Sequence, residues 1–203
     1  MANTLFHRSR TRIIGTVAVG VAIGGLALFG PGAMAQMAGH GGGMGMHRHG
    51  ADGTGHDEAM MPGLRGLDAT PEESADLATM FRNFPDITRE VTNLPDGIRT
   101  ITYSADEALM NTVVTHVVGM IDRVDEGRDP QIFIQSPTLD ILFERRDRIT
   151  TEIDVTDLGI VVVQTSDDPD VVAALQKHAG EVSDMANRGM AAVHDMMMAR
   201  PGN

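Results

Sequence analysis

One stretch of the sequence decides the fold: Gly159-Ile-Val-Val-Val-Gln-Thr-Ser-Asp-Asp-Pro-Asp-Val-Val-Ala-Ala-Leu-Gln-Lys-His178. It predicts a strand, a capped turn and a helix that carries a histidine. The chain also aligns with itself without a gap, so that the segment from Leu77 to Gly127 matches the segment from Leu139 to Gly189. The identical pairs include Gly97/Gly159, Ser104/Ser166, Asp106/Asp168 and His116/His178. This agreement predicts an internal duplication.

Each copy predicts the same order of elements: helix, strand, strand, helix. Thr70-Pro71-Glu72-Glu73 is a capping box with proline at the first helical position, so it predicts the start of the first helix. Leu94-Pro95-Asp96-Gly97 predicts the tight turn of a hairpin. Apolar residues at helical spacing predict a long helix over about residues 105–126. In the second copy, Ser136-Pro137 and Asp168-Pro169 predict the two helix starts.

These elements predict an α+β fold in a single domain over residues 70–199. A lone two-stranded hairpin is marginally stable in water, so each copy needs its twin. We therefore expect tandem helix–strand–strand–helix units, at about residues 74–132 and 136–197, that share a four-stranded antiparallel sheet. Helices should cover one face, related by a pseudo-twofold axis. Val161 and Val163 make the last strand apolar on both faces, which predicts an interior strand.

The first 35 residues predict a signal peptide. Arg8, Arg10 and Arg12 precede an apolar stretch from Ile13 to Phe29, and Ala33-Met34-Ala35 fits a cleavage site before Gln36. The alternative is a retained membrane anchor, because about 17 apolar residues lie near the lower limit for a span. We expect cleavage near Ala35–Gln36 and a periplasmic or secreted protein with no membrane contact afterwards.

The charge and the absence of cysteine narrow the possible partners. Without the predicted signal peptide, 13 basic residues face 28 acidic ones, a net charge of −15. This balance argues against nucleic acid and anionic membranes, and it favours attraction of cations. With no cysteine, a metal site has to use His, Met, Asp or Glu.

Residues 36–69 form a Gly-rich tail that lacks periodicity, and we expect it to be disordered without a ligand. Its side chains mix soft thioethers with imidazoles, a combination that suits copper. The candidate ligands in the tail are His40, Met44, Met46, His47, His49 and His56. The alternative is a linker whose Met and His residues have no role in metal binding.

A second candidate metal site is the duplicated pair His116 and His178, which a pseudo-twofold axis can bring together. Met120 lies one helical turn after His116, and Met185 lies two turns after His178. Two histidines with one or two methionines make a copper site, and two histidines alone can ligate a haem iron. The alternative is that each histidine packs at the edge of its helix and hydrogen-bonds the other copy.

The last helix offers a third candidate, because Met190, His194 and Met197 follow one helical face and Met185 precedes them. The alternative is a packing stripe, since Met fills irregular gaps well. Thr165-Ser166-Asp167-Asp168-Pro169 favours a helix cap over a binding site. The sequence offers no nucleophile–base pair, so it gives no support for an enzyme, although that question stays open.

The stretches Thr165–Val172 and Leu175–Ala179, with Gly97-Ile98 and His116, resemble a family of uncharacterised exported bacterial proteins. The shared pattern is Gly-(Val/Ile)…Ser-Asp-Asp-Pro…His-Ala, and the resemblance covers Phe81 to His194. Family members carry further histidines in the first helix, where this chain has Phe81-Arg82-Asn83. The resemblance implies the fold unit and brings no activity.

The sequence therefore predicts a periplasmic metal-binding protein whose cofactor is a copper ion. A haem-binding or electron-transfer protein is the first alternative. A non-catalytic interaction module, with a periplasmic protein as its partner, is the second.

Overall fold

The structure, a computed structural model, describes Arg12–Ile13 and residues 62–200. The described helices and strands follow the order β1 Arg12–Ile13, α1 Pro71–Arg82, β2 Thr88–Leu94, β3 Gly97–Tyr103, α2 Glu107–Glu126, α3 Thr138–Glu144, β4 Thr150–Thr156, β5 Gly159–Thr165, α4 Pro169–Arg188 and α5 Met190–Met198. Short 3₁₀ turns lie at Pro62–Leu64, Phe84–Asp86 and Arg146–Arg148. The predicted tail ligands from His40 to His56 lie outside the described residues, as does most of the predicted signal peptide.

The four long strands form an antiparallel sheet in the order β4-β5-β3-β2, with helices packed on it. This confirms the predicted α+β class and the four-stranded antiparallel sheet, with β5 in the interior. Ile149, Thr151 and Ile153 are buried while Thr150 and Glu152 are exposed, so β4 has one dry and one wet face. The two residues of β1 add a short parallel pairing to the outer side of β4, which the sequence did not predict.

The two halves repeat each other's geometry in the register that the sequence alignment predicts. The strands β2 and β3 and the helix α2 begin and end at residues that align with the ends of β4, β5 and α4. The hairpin registers also match, since Thr88 pairs with Tyr103 and Thr150 pairs with Thr165. The first helices differ, because α1 has 12 residues and α3 has 7. The capping box predicted for α1 is present at Thr70 and Glu73, whereas α3 has no side-chain cap.

A pseudo-twofold axis passes between β3 and β5. Thr100 pairs with Val162, which is also its counterpart in the alignment of the two copies, so the centre of the pairing is the centre of the repeat. Both copies keep glycine where these strands begin. A Cβ on Gly97 would lie 1.9 Å from the Gln164 carbonyl oxygen, and one on Gly159 would lie 2.3 Å from that of Thr102. Close backbone approach therefore accounts for both glycines.

The long helix of each half packs on the hairpin of the other half. Val113 and Ile121 of α2 cluster with Ile153, Ile160 and Val162 of the second hairpin. In the mirrored cluster, Val171, Ala174, Leu175 and Ala179 of α4 surround Ile98 of the first hairpin, with Val91 packed against them. The halves are thus interlocked, and neither completes its own core.

The segment before α1 belongs to the folded part, which extends it beyond the predicted start at Thr70. Leu64 is 1% exposed and packs with Phe81 and Met190. Gly66 forms a bridge with Ile132 in the linker between the halves. The buried guanidinium of Arg123 holds Asp68 at 2.9 Å and contacts Glu73 through Nη2 at 2.8 Å. The isolated Leu64 gives no periodic signal, which is why the sequence pattern missed this segment.

The last helix is not continuous, contrary to the single helix that the sequence predicts from Asp168-Pro169 onwards. Gly189 adopts φ 57° and ψ −136°, so α4 ends at Arg188 and α5 begins at Met190. This backbone conformation suits glycine, and the equivalent Gly127 ends α2 with φ 70°. Of the helices in the described part of the chain, none combines the length and apolar character needed to span a bilayer.

Candidate ligand and metal site

A cavity of about 290 Å³ lies between the sheet and the helices. Its floor comes from the inward side chains of β2, β3 and β5, and its sides come from α1, α2 and α4, with the linker and α3 closing one end. Most of the lining is apolar. The polar side chains among the lining residues are Arg89, Thr100, Thr102, His116, Gln135, Ser136, Gln164 and His178. A mainly apolar hollow with a few converging polar groups is typical of a ligand site.

The two histidines that the repeat predicts as a pair both line this cavity. His116 lies in the middle of α2 and His178 in the middle of α4, at equivalent positions of the two copies. Burial and, to a smaller extent, the neighbouring His178 lower the pKa of His116 to about 4 against the opposing effect of Glu73. His116 is therefore a neutral imidazole at neutral pH, which is the form that binds metals.

His178 faces a carboxylate that His116 lacks. Its Nδ1 lies 3.8 Å from Oε2 of Glu181, and both atoms are buried with no closer polar partner. Thr138 donates a hydrogen bond of 2.9 Å to the other oxygen of Glu181. Burial raises the pKa of Glu181, but the neighbouring His178, Ser136 and Thr138 outweigh burial and lower it. At 3.8 Å the two atoms form no hydrogen bond, so the carboxylate lies beside Nδ1 without fixing the ring.

Two of the predicted methionine ligands line the same cavity as the histidines. They are Met120 on α2 and Met185 on α4. Within the described part of the chain, no group of three or more His, Asp or Glu side chains is placed to hold a metal ion. The thioethers of Met120 and Met185 are thus the further ligands that this cavity offers beside the two imidazoles.

Among the described residues, the remaining predicted ligands do not line this cavity. His194 is exposed on α5, while Met190 is buried against Phe81. Met196 and Met197 pack against the same cluster as Met190, and Met198 is 64% exposed. The alternative of a packing stripe thus describes Met190, Met196 and Met197. A wider depression of about 580 Å³ between the segment before α1 and α1 contains none of the predicted ligands.

Sequence reasoning missed two residues of the site, Arg89 and Glu181. Arg89 lies on β2 between Ile87 and Val91, so alternation places it on the apolar face. A charged residue on such a face was the available signal. Glu181 follows His178 by three residues, a helical spacing that brings the two side chains together.

In comparisons with known proteins, no protein-family model, no curated protein and no solved structure matches the chain. The resemblance to exported bacterial proteins stays a prediction.

Proposed function

We propose that the chain is an exported, periplasmic metal-binding protein that handles copper. The observation that supports this proposal most is that His116, His178, Met120 and Met185 line one cavity. Imidazole and thioether together favour copper, and thioether selects Cu(I). The four residues come from two helices that lie far apart in the sequence.

The surroundings of the two histidines suit a metal ligand. Because the pKa of His116 is about 4, protons compete weakly for this ring at neutral pH. Glu181 stands beside Nδ1 of His178, as carboxylates commonly do behind metal-binding histidines.

The tail supplies a second, looser set of ligands in this proposal. His40, Met44, Met46, His47, His49 and His56 lie on a Gly-rich segment with no fixed geometry implied by its sequence. The acidic chain attracts cations to it. We propose that the tail captures copper ions and that the cavity holds one of them.

The test is a Cu(I) competition titration of the purified exported protein against a chromophoric chelator. We expect the protein without residues 36–61 to keep one ion with a dissociation constant below about 1 μM. Replacing both cavity methionines, Met120→Leu and Met185→Leu, preserves volume and should weaken this site at least tenfold, by about 1.4 kcal/mol. The control His194→Gln should bind as the parent does. Binding weaker than micromolar in the full exported chain overturns the proposal.

The two alternatives give different results in the same preparation. A haem protein with axial His116 and His178 shows a Soret band that disappears in the His116→Ala, His178→Ala double variant. The cavity volume of about 290 Å³ lies at the small end of ligand sites, which favours an ion over a macrocycle. An interaction module shows neither copper nor a chromophore, and keeps its protein partner after the tail is removed.

A further inference from the structure

Arg89 is a half-buried cation that has no carboxylate partner among the residues the structure describes. It lies on β2, lines the cavity, and donates through Nη1 to the Thr102 hydroxyl at 2.8 Å. Its Nε is buried and has no hydrogen-bond partner. The ion pairs formed in the described part of the chain all belong to other cationic residues, and none involves this guanidinium. Burial lowers the pKa of Arg89 to about 10, which still leaves it charged at neutral pH.

The fold does not require a charge at this position. The counterpart of Arg89 in the second half is Thr151, whose hydroxyl accepts a hydrogen bond of 3.3 Å from Gln164, the counterpart of Thr102. In the second hairpin, a hydrogen bond between two neutral side chains therefore joins the two strands that correspond to β2 and β3. The more deeply buried Arg123, by contrast, is paired with two acids, Glu73 and Asp68. An unpaired buried guanidinium is costly, so its presence in a cavity points to a ligand that carries the opposite charge.

The walls around Arg89 define the rest of that ligand. The cavity is lined mostly by aliphatic and thioether side chains, including Ile98, Val162, Val182 and Met185. Guanidinium binds carboxylate through two parallel hydrogen bonds, and Nε is one of the donors in that geometry. The volume of about 290 Å³ suits a short hydrocarbon chain better than a long lipid.

We propose that this cavity binds a small hydrophobic monocarboxylate, with its carboxylate on Arg89 and its hydrocarbon chain between α2 and α4. The proposal goes beyond copper handling and does not depend on it.

The test is calorimetric titration of the chelator-treated exported protein with straight-chain monocarboxylates of increasing length at neutral pH. Affinity should rise about fourfold for each added methylene and stop rising once the cavity is full. The primary alcohols of the same lengths should bind at least about tenfold more weakly, because they lack the charge that pairs with Arg89.

Two variants assign the effect to Arg89. Arg89→Met should lose at least about tenfold in affinity for the acid while its affinity for the alcohol of equal length changes little. Its melting temperature should equal or exceed that of the parent, because an apolar side chain replaces a buried charge. Arg99→Gln removes the same charge from the exposed face of the neighbouring strand and should leave binding unchanged. Failure of every acid to bind, or equal binding by Arg89→Met, overturns the proposal whatever the outcome with copper.

Discussion

His116 combines a titratable ring with a half-buried position in the middle of a helix. Burial lowers its pKa from 6.5 to about 4, so the folded protein resists a proton that the unfolded chain accepts. Stability from this group is fully present above pH 6.5 and is lost as the pH falls towards 4. A pKa shift of this size lowers the free energy of unfolding by at most about 3 kcal/mol between those two pH values.

We therefore expect His116→Gln to flatten the pH dependence of stability. The free energy of unfolding of the parent should fall more steeply than that of the variant as the pH drops from 6.5 towards 4. Urea titrations followed by circular dichroism at several pH values measure both slopes. The exposed His194→Gln should keep the parental slope. Parallel curves for the parent and His116→Gln would contradict the burial that the structure gives this ring.

At the scale of single residues, the sequence located the histidines but not their neighbours. The repeat made His116 and His178 equivalent, and a twofold axis can bring equivalent residues together, but the sequence did not tell whether the two converge. Arg89 was overlooked because a single charge in an alternating strand predicts little until the opposite wall is known. His194 lies on the same helical face as Met190 in the sequence pattern, yet the structure exposes one and buries the other.

Among the elements, the two long helices differ in how they use glycine. Gly180 lies inside α4 and is exposed, and a Cβ built on it meets no atom within 4 Å. Gly127 ends α2 with φ 70°, and a Cβ there would lie 2.8 Å from Cζ of Arg146. Gly180 thus destabilises its helix, whereas the backbone conformation at Gly127 requires glycine.

We expect Gly180→Ala to raise the free energy of unfolding by about 0.5–1 kcal/mol, because alanine restricts the unfolded chain and favours the helix. Gly127→Ala should lower it by about 1 kcal/mol, since alanine disfavours the left-handed conformation. Chemical denaturation of both variants gives the two values. Effects of the same sign would contradict either the left-handed end of α2 at Gly127 or the helical conformation of α4 at Gly180.

The bounds of the elements were largely predictable, since caps, turns and periodicity act locally. The capping box at Thr70, the tight turn before Gly97 and the cap at Asp168 all lie where the sequence placed them. The break at Gly189 was missed, although Gly127 is its counterpart. Apolar and Met-rich positions continue past Gly189, and periodicity alone cannot separate one long helix from two.

For the whole molecule, the exchange of helices between halves determines how the chain can fold. Because α2 packs on the second hairpin and α4 on the first, an isolated half keeps its hairpin but loses the helices that cover it. Two strands without a packed face are marginally stable. The cavity also belongs to both halves, which is why no single stretch of sequence could predict it.

We expect fragments 62–131 and 132–200 to lack cooperative unfolding when each is alone. Mixed in equal amounts, they should regain helical circular dichroism and a sigmoidal thermal transition, because the complete set of contacts is then available. The concentration dependence of that transition provides the control, since the intact chain should show none. A fragment that unfolds cooperatively by itself would contradict the interlocked core.

The pseudo-twofold axis has a consequence for what the cavity can accept. A homodimer of one half would close the same sheet around a true axis, and every residue facing the hollow would then occur in duplicate. In a single chain the two halves can differ. Arg89 in the first half therefore corresponds to Thr151 in the second, and Glu181 in the second corresponds to Gly119 in the first. A ligand with a polar and an apolar end then has one preferred binding orientation in the cavity. A symmetric homodimer would offer the same ligand two orientations of equal energy.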